Sequence, residues 1–325
     1  MRILVTHPIQ KIGIDLLKKQ GYNVTVYRGD PILSGKKLKR IVKEKKYDAL
    51  LTLLTHKIDA TIMDAAGPQL KVISNFAVGF DNINLDAAQK RKIAVTNTPC
   101  QNLADVVADH TIALLFALLR NIVSGDRFMR AGKFKGWEPE LFIGCDIRGK
   151  TLGLIGLGRI GKGVASRALA LGMNIFYHDV KRDELFEKSE AQYKPLNDLL
   201  ATSDVISLHV PLLPTTRHLI NTKTISKMKK GSYLINTSRG AIVDEMAVAQ
   251  ALVAKKLAGY GTDVFECEPK TSCSPTKYDL RKIPNTILTP HIASATKSVR
   301  DAMAIMAAQN IIDVLEQGSS SHQVA

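Results

Sequence analysis

The chain has 325 residues, 45% of them hydrophobic and 23% charged, and carries a formal net charge of +15. That length allows two domains of ordinary size, and the composition is that of a soluble globular protein. No apolar run reaches the roughly 20 residues that span a bilayer, and the opening Met1-Arg2-Ile3-Leu4-Val5-Thr6 is too short for a signal-peptide core. A cytoplasmic protein with no membrane partner is expected. The positive charge raises nucleic-acid binding as a possibility to test. The lysines, however, are scattered: Lys36, Lys37, Lys39, Lys43, Lys45 and Lys46 on one expected helix, Lys229 and Lys230 elsewhere. No nucleic-acid motif accompanies them, so no nucleic-acid partner is expected. Cys100, Cys145, Cys267 and Cys273 lack metal-ligand spacing, so no metal is expected. Cys267 and Cys273 are close enough in sequence to bridge, but in a cytosolic chain free thiols are the expectation.

The first hundred residues alternate short apolar strands at 3–6, 24–27, 49–54, 71–76 and 93–96 with helical stretches such as 12–19, 38–45 and 85–91. Alternation of this kind predicts a parallel sheet covered on both faces. A long apolar-periodic stretch follows at 103–130, with Asn102 as its cap. It is too long for a simple crossover and is expected to bridge two domains or to lie at a subunit interface. A loop at 131–150 carries Trp137, the only tryptophan.

A second alternating series begins at Thr151. Its expected strands are 151–155, 174–177, 204–210, 232–236, 259–264 and 286–289, six in all. Directly after the first of them stands Gly156-Leu157-Gly158-Arg159-Ile160-Gly161, and a helical stretch follows. An acidic residue, Asp179, closes the next apolar run. Strand, glycines, helix and distant acid together form a dinucleotide fingerprint. Gly156 permits the tight turn, Gly158 lets the backbone approach a pyrophosphate, and Gly161 lets helix and strand pack closely. The helix N-terminus, at Arg159 and Ile160, offers N–H groups and a positive dipole end. A carboxylate at Asp179 accepts hydrogen bonds from a ribose diol and repels a 2′-phosphate, so NADH is the preferred cofactor. Lys181 and Arg182 follow closely and leave NADP possible, although a solvated turn is the expectation for both. The chain closes with a helix at 298–317 and a polar tail at 318–325, expected to be mobile.

In doubly wound sheets, ligands bind beyond the carboxyl ends of the strands. There the second series presents Arg239 in Asn236-Thr237-Ser238-Arg239-Gly240, Glu268 in Asp263-Val264-Phe265-Glu266-Cys267-Glu268-Pro269, and His291 in Thr289-Pro290-His291-Ile292-Ala293-Ser294. A fixed cation, a carboxylate and an imidazole are the parts needed to reduce a 2-oxo acid. Arginine grips a carboxylate with a planar fork. Histidine donates a proton to the carbonyl oxygen as hydride arrives at carbon. A neighbouring carboxylate orients the imidazole and favours its protonated form.

These motifs resemble those of the D-isomer-specific 2-hydroxyacid dehydrogenases over nearly the whole chain. The resemblance implies two Rossmann/flavodoxin-like, doubly wound parallel-sheet α/β domains with an active-site cleft between them. Residues 1–98 with 295–325 would form the substrate-binding domain and 99–294 the NAD-binding domain. It implies Arg239, Glu268 and His291 as catalytic residues. Asp263 would hold the nicotinamide carboxamide. Val210, Pro211, Thr237, Ser238, Ile292, Ala293 and Ser294 would line the cofactor. Leu54, Ala77, Val78, Gly79 and Trp137 would contact substrate, with backbone N–H groups of the Ala77-Val78-Gly79 loop meeting the substrate carboxylate. Gly125-Asp126-Arg127-Phe128-Met129-Arg130-Ala131-Gly132 and Trp137-Glu138-Pro139 look most like the glyoxylate/hydroxypyruvate reductase branch, which is dimeric. In that branch the tryptophan lids the partner's pocket. Phosphoglycerate dehydrogenase is the nearest rival, although many members carry a regulatory domain this chain is too short to hold. Phosphite dehydrogenase needs a lysine where Val78 stands, and formate dehydrogenase does not need this proton relay. An NAD-sensing scaffold like the C-terminal binding protein corepressors shares the fold, but the extension after the last helix is short.

Overall fold

The computed structural model describes residues 1–30, 32–189, 191–268 and 279–325. The chain divides into two compact units, Met1–Leu103 with Ala295–Ala325, and Ala104–Ser294.

The first unit runs β1 (Arg2–Val5), α1 (Lys11–Lys19), β2 (Asn23–Val26), α2 (Gly35–Glu44), β3 (Ala49–Leu53), α3 (Ala60–Ala66), β4 (Val72–Phe76), α4 (Leu85–Lys90) and β5 (Ala94–Thr96). Among the described residues its strands number five, all parallel, in the order β2-β1-β3-β4-β5. The central strands read as continuous apolar runs because helices cover both faces; Ile3, Leu4, Leu50, Leu51, Val72 and Ile73 are fully buried.

The chain then enters α5 (Leu103–Leu119) and α6 (Ile122–Arg130). The stretch expected as one long helix is two, bent by 64° at the break. Asn121 sits there in the left-handed region at φ 53°, and Asn tolerates that conformation better than most residues. Apolar periodicity runs across the break and so conceals it. No single described helix is long and apolar enough to cross a membrane. The apolar face of α5 instead buries Leu114, Leu115, Leu118 and Leu119 in the core of the second unit.

That unit continues with β6 (Thr151–Ile155), α7 (Arg159–Ala170), β7 (Asn174–His178), α8 (Glu184–Glu187), β8 (Ala191–Tyr193), α9 (Leu196–Thr202), β9 (Val205–Leu208), α10 (Thr222–Lys227), β10 (Ser232–Asn236), α11 (Glu245–Val253), β11 (Leu257–Thr262) and β12 (Thr286–Leu288). Among the described residues the sheet has seven strands, ordered β12-β11-β10-β9-β6-β7-β8, where six were expected. The extra strand, β8, is only Ala-Gln-Tyr, too short to show alternation. The order reverses beside β6, which places the glycine turn at the topological switch point. Gly259 and Gly261 on β11 lack the side chains that would meet Leu118 at 3.1 and 3.0 Å, so α5 packs close to the sheet.

The last helix, α12 (Lys297–Gln317), returns to the first unit. A Cβ on Gly13 would stand 2.4 Å from the Ala304 carbonyl, so α1 and α12 touch backbone to backbone. The tail beyond it is docked, contrary to expectation. Val324 donates to the Val95 carbonyl at 2.8 Å, Val95 donates to that of Ala325 at 2.9 Å, and Thr96 bridges to Gln323. The tail covers the open edge of β5, which satisfies backbone groups that composition alone cannot reveal.

Candidate active site

The nucleotide turn follows from three glycines with three different surroundings. Gly156 adopts φ 98°, and a Cβ there would lie 2.6 Å from the His209 carbonyl. A Cβ on Gly161 would lie 2.3 Å from the Gly156 carbonyl oxygen, so the first turn of α7 packs directly on the end of β6. Gly158 is different: nothing lies within 4 Å of where its Cβ would stand. It is the N-cap of α7 and provides no side-chain cap. The first N–H groups of a twelve-residue helix therefore face an open cradle, which suits a pyrophosphate. Asp179, half-buried just past β7, accepts from Leu157 N–H through Oδ2 and from Val180 N–H through Oδ1, both at 2.7 Å. These residues fit the NAD that the fingerprint implies.

The catalytic candidates stand past β10, β11 and β12. Asn236, wholly buried, organises the first turn: its Nδ2 donates to the Arg239 carbonyl at 2.9 Å and its Oδ1 accepts from Ser238 N–H at 3.0 Å. Arg239 Nη1 donates to the Ser238 carbonyl at 2.8 Å. Ser238 Oγ donates to the Val210 carbonyl, and Thr237 Oγ1 pairs with Thr111 Oγ1 at 2.9 Å. Two strand ends further on, His291 Nδ1 meets Glu268 Oε1 at 2.7 Å, with both side chains about three-quarters buried. His291 sits at φ 55°, left-handed backbone that a non-glycine residue adopts only when its surroundings impose it. Asp263 imposes it here. Its side chain is 1% exposed. Its Oδ1 accepts from Thr289 Oγ1 at 2.6 Å and Ile292 N–H at 2.9 Å, and its Oδ2 from Ala293 N–H at 2.7 Å. His110 on α5 lies against this turn, 3.1 Å from Thr289 Oγ1. The carboxylate of Asp263, the residue expected to hold the nicotinamide carboxamide, thus also holds the turn.

A second polar layer, which the sequence did not suggest, fixes the segment carrying Glu268. Glu245 Oε1 accepts from Glu266 N–H at 2.7 Å, and Glu266 Oε1 pairs with His218 Nε2 at 2.6 Å and Arg217 Nη2 at 3.5 Å. Burial, with Glu266 adding to it, pushes the Glu245 carboxyl above its ordinary range. Gly240 closes the arrangement, because a Cβ there would stand 1.8 Å from the Phe265 carbonyl carbon. Cys267 in this segment is disulfide-bonded, so the expectation of free thiols fails there; it holds at Cys100 and Cys145. Cys273 and Pro269 lie outside the described residues.

The loop after β4 belongs to the first unit. Asn97 Nδ2 donates to the Val78 carbonyl at 2.7 Å, and Asn75 Nδ2 to the Gly79 carbonyl at 2.9 Å. With both carbonyls held, the N–H groups of Val78 and Gly79 find no acceptor among the described residues. Successive unpaired N–H groups make an anion-binding concavity. Ala77 is buried, and Leu54 and Val78 are half-buried. Asn75 and Asn97, the residues that shape this loop, were also not singled out from sequence. Trp137 is 83% exposed.

Residues 112–293 match the family profile of the D-isomer specific 2-hydroxyacid dehydrogenase NAD binding domain. A glyoxylate reductase of Pyrococcus horikoshii is 43% identical over 316 residues, 96% of this chain and 92% of that protein. Among solved structures, a protein of Thermus thermophilus superposes with a TM-score of 0.91 at 41% identity, over 100% of both chains. A D-lactate dehydrogenase of Aquifex aeolicus, solved with NAD and lactic acid, superposes with a TM-score of 0.84 at 30% identity, covering 98% of this chain and 96% of that one. With a parallel seven-stranded sheet, an open glycine cradle and matches of this extent, the chain belongs to the D-isomer-specific 2-hydroxyacid dehydrogenases, NAD-dependent enzymes that interconvert 2-oxo acids and D-2-hydroxy acids.

Proposed function

We propose that this chain reduces glyoxylate and hydroxypyruvate with NADH, using Arg239, Glu268 and His291. The observation that carries the reading is the 2.7 Å contact of Glu268 with His291, at a strand end of the same unit that carries the nucleotide cradle. With Nδ1 tied to Glu268, the other ring nitrogen, Nε2, is the one left to give a proton to the substrate's carbonyl oxygen. Bound NADH supplies the hydride. The carboxylate of Glu268 holds the ring through Nδ1 and keeps it from rotating during the transfer. Arg239 offers a planar fork to the substrate carboxylate and carbonyl. The N–H groups of Val78 and Gly79 are suited to a carboxylate oxygen, and Leu54, Ala77 and Trp137 join them as substrate-binding residues. Gly156, Gly158, Arg159, Ile160 and Gly161 cradle the pyrophosphate. Asp179 holds the ribose diol, which favours NADH over NADPH. Val210, Pro211, Thr237, Ser238 and the Ile292–Ser294 turn line the rest of the dinucleotide. Residues 1–98 with 295–325 serve as the substrate-binding domain and 99–294 as the nucleotide domain.

A homodimer through α6 and the loop after it is part of this reading. Ile122, Met129, Phe134 and Ile143 are 53%, 55%, 48% and 71% exposed there, a concentration of apolar surface that a second copy would cover. Sedimentation analysis of the chain and of Met129→Lys tests the dimer. The activity is tested by NADH consumption with glyoxylate, hydroxypyruvate, pyruvate and 3-phosphohydroxypyruvate. Turnover of the first two above the others is expected; preference for the phosphorylated acid would favour the phosphoglycerate dehydrogenase reading.

A further inference from the structure

The loop after β7 sets a puzzle of charge. Arg182 stands three residues beyond Asp179, where a guanidinium can receive the 2′-phosphate of NADP(H). Asp179 alone would then face an opposing cation on the same loop. The structure resolves this by occupying the cation. Arg182 Nε donates to Glu187 Oε1 at 3.0 Å and Nη2 to Oε2 at 2.5 Å, a two-point fork. The guanidinium also lies 5.3 Å from the centre of the Tyr193 ring. Glu187 is itself fixed: Tyr177, buried in β7, donates its hydroxyl to Oε1 at 2.6 Å, and that hydroxyl in turn accepts from Asp183 N–H at 2.9 Å. Arg182 and Tyr177 hold the Glu187 carboxyl below its usual range. Lys162 is likewise paired with Asp183. Lys181 remains as an exposed cation on the loop.

We propose that Glu187 is a specificity-determining residue for the dinucleotide: by engaging Arg182 in a fork anchored on Tyr177, it withholds from a 2′-phosphate the guanidinium that would otherwise bind it. Discrimination then has two parts. Asp179 repels the phosphate, and Glu187 removes the cation that would attract it. A lone surface ion pair would be too weak to matter. This one combines a bidentate fork to a carboxylate anchored on a buried tyrosine with an aromatic face, so Arg182 must surrender both the fork and the ring contact to serve a phosphate. The proposal rests on the reading that NADH is preferred.

The test is calorimetric binding of NADH, NADPH and 2′,5′-ADP to the full chain, alongside kcat/KM with each reduced cofactor. Glu187→Gln keeps an oxygen for the Tyr177 hydroxyl but loses the charge that holds Arg182. It should tighten NADPH and 2′,5′-ADP binding roughly three- to tenfold at low salt, with NADH binding unchanged within about twofold. Adding Arg182→Met to that variant should abolish the gain. Arg182→Met alone should leave NADPH binding as it is, because the guanidinium is already engaged. The proposal is overturned if Glu187→Gln leaves NADPH and 2′,5′-ADP binding unchanged. It is overturned equally if the gain survives loss of Arg182, or if Arg182→Met alone weakens NADPH binding severalfold. The NADH-to-NADPH ratio of the unmodified chain separately tests the underlying preference, since the Glu187 effect is read only as a change between variants.

Discussion

Gly240→Ala tests whether the alignment of Glu268 and His291 depends on backbone contact between two strand ends. The added methyl would stand 1.8 Å from the Phe265 carbonyl carbon, 2.1 Å from its oxygen and 2.2 Å from the Glu266 nitrogen, where ordinary contact begins at 3.4 Å. Each of those atoms is backbone, so no rotamer change relieves the overlap; something must move by roughly 1.5 Å. Residues Ala241, Ile242 and Val243 behind Gly240 are buried, whereas Phe265 to Glu268 are all partly exposed. The second segment is therefore the one that yields. Its movement breaks the Glu245–Glu266 backbone bond and draws Glu268 away from His291, now at 2.7 Å. Misplacement of a reacting group by about 1 Å costs around a hundredfold in rate. Loss of the backbone bond and residual overpacking cost about 1–3 kcal/mol in stability. Steady-state kinetics with glyoxylate should show kcat reduced about a hundredfold, and fluorescence titration should show NADH binding changed less than about threefold. A variant with kcat within about threefold of the parent and an unchanged Tm would refute the argument, because it would mean that Glu268 does not depend on this contact.

His291→Ala should lower kcat roughly a hundred- to ten-thousandfold while NADH still binds; a loss below about tenfold in steady-state assays would assign the proton to another group. Arg239→Lys should fail nearly as badly despite keeping the charge, because the ammonium cannot form the fork; near-normal kcat/KM with glyoxylate would make Arg239 a structural residue. His209, packed beside Ser207 at 2.9 Å, has its pKa pushed down to about 4 by burial. Between pH 6.5 and 4 the unfolded chain therefore binds a proton that the folded chain refuses, and stability falls as pH falls through that window, by about 1–3 kcal/mol. Glu245, with its carboxyl raised, acts in the opposite sense. The measurement is accordingly the difference in urea unfolding between the parent and His209→Gln: the two should diverge across this window, and parallel curves would show that His209 titrates normally.

What could be read from sequence is what is encoded locally. Gly156, Gly158 and Gly161 announce a turn because each lacks a side chain for a separate reason, and the apolar runs flanking them fix the strand and helix around it. The positions just past strands 232–236 and 286–289 were readable because a strand's end is a local event. Features that join side chains from different elements left no such trace. The fork of Arg182 and Glu187 depends on Tyr177 from β7. The bond from Glu245 to Glu266 spans 21 residues, and that from Glu266 to His218 spans 48. Asn75 and Asn97 shape a loop to which neither belongs. The break at Asn121 is hidden because the apolar periodicity continues across it, although α6, unlike α5, buries none of its residues. The docked tail is hidden because edge pairing needs only backbone, which every sequence supplies.

The candidate catalytic groups owe their alignment to ties between neighbouring strand ends. Asp263 N–H donates to the Asn236 carbonyl, and Thr289 N–H to that of Thr262, both at 3.0 Å; His291 N–H donates to that of Asp263 at 2.9 Å. The Asp263 carboxylate then holds the next two N–H groups of the His291 turn, and Gly240 lies against the peptide that leads to Glu268. Arginine, glutamate and histidine thus come from three loops that behave as one piece. The left-handed backbone at His291 is sustainable for that reason: the cost of an unfavourable φ, of order 1 kcal/mol, is offset by three charge-assisted bonds to one buried carboxylate. Side chains carried on such ties need little reorganisation as charge develops on the substrate oxygen, and low reorganisation is the main source of electrostatic catalysis. The residues that supply the ties, Asn236, Gly240 and Asp263, are therefore as much a condition of the chemistry as the groups that would perform it.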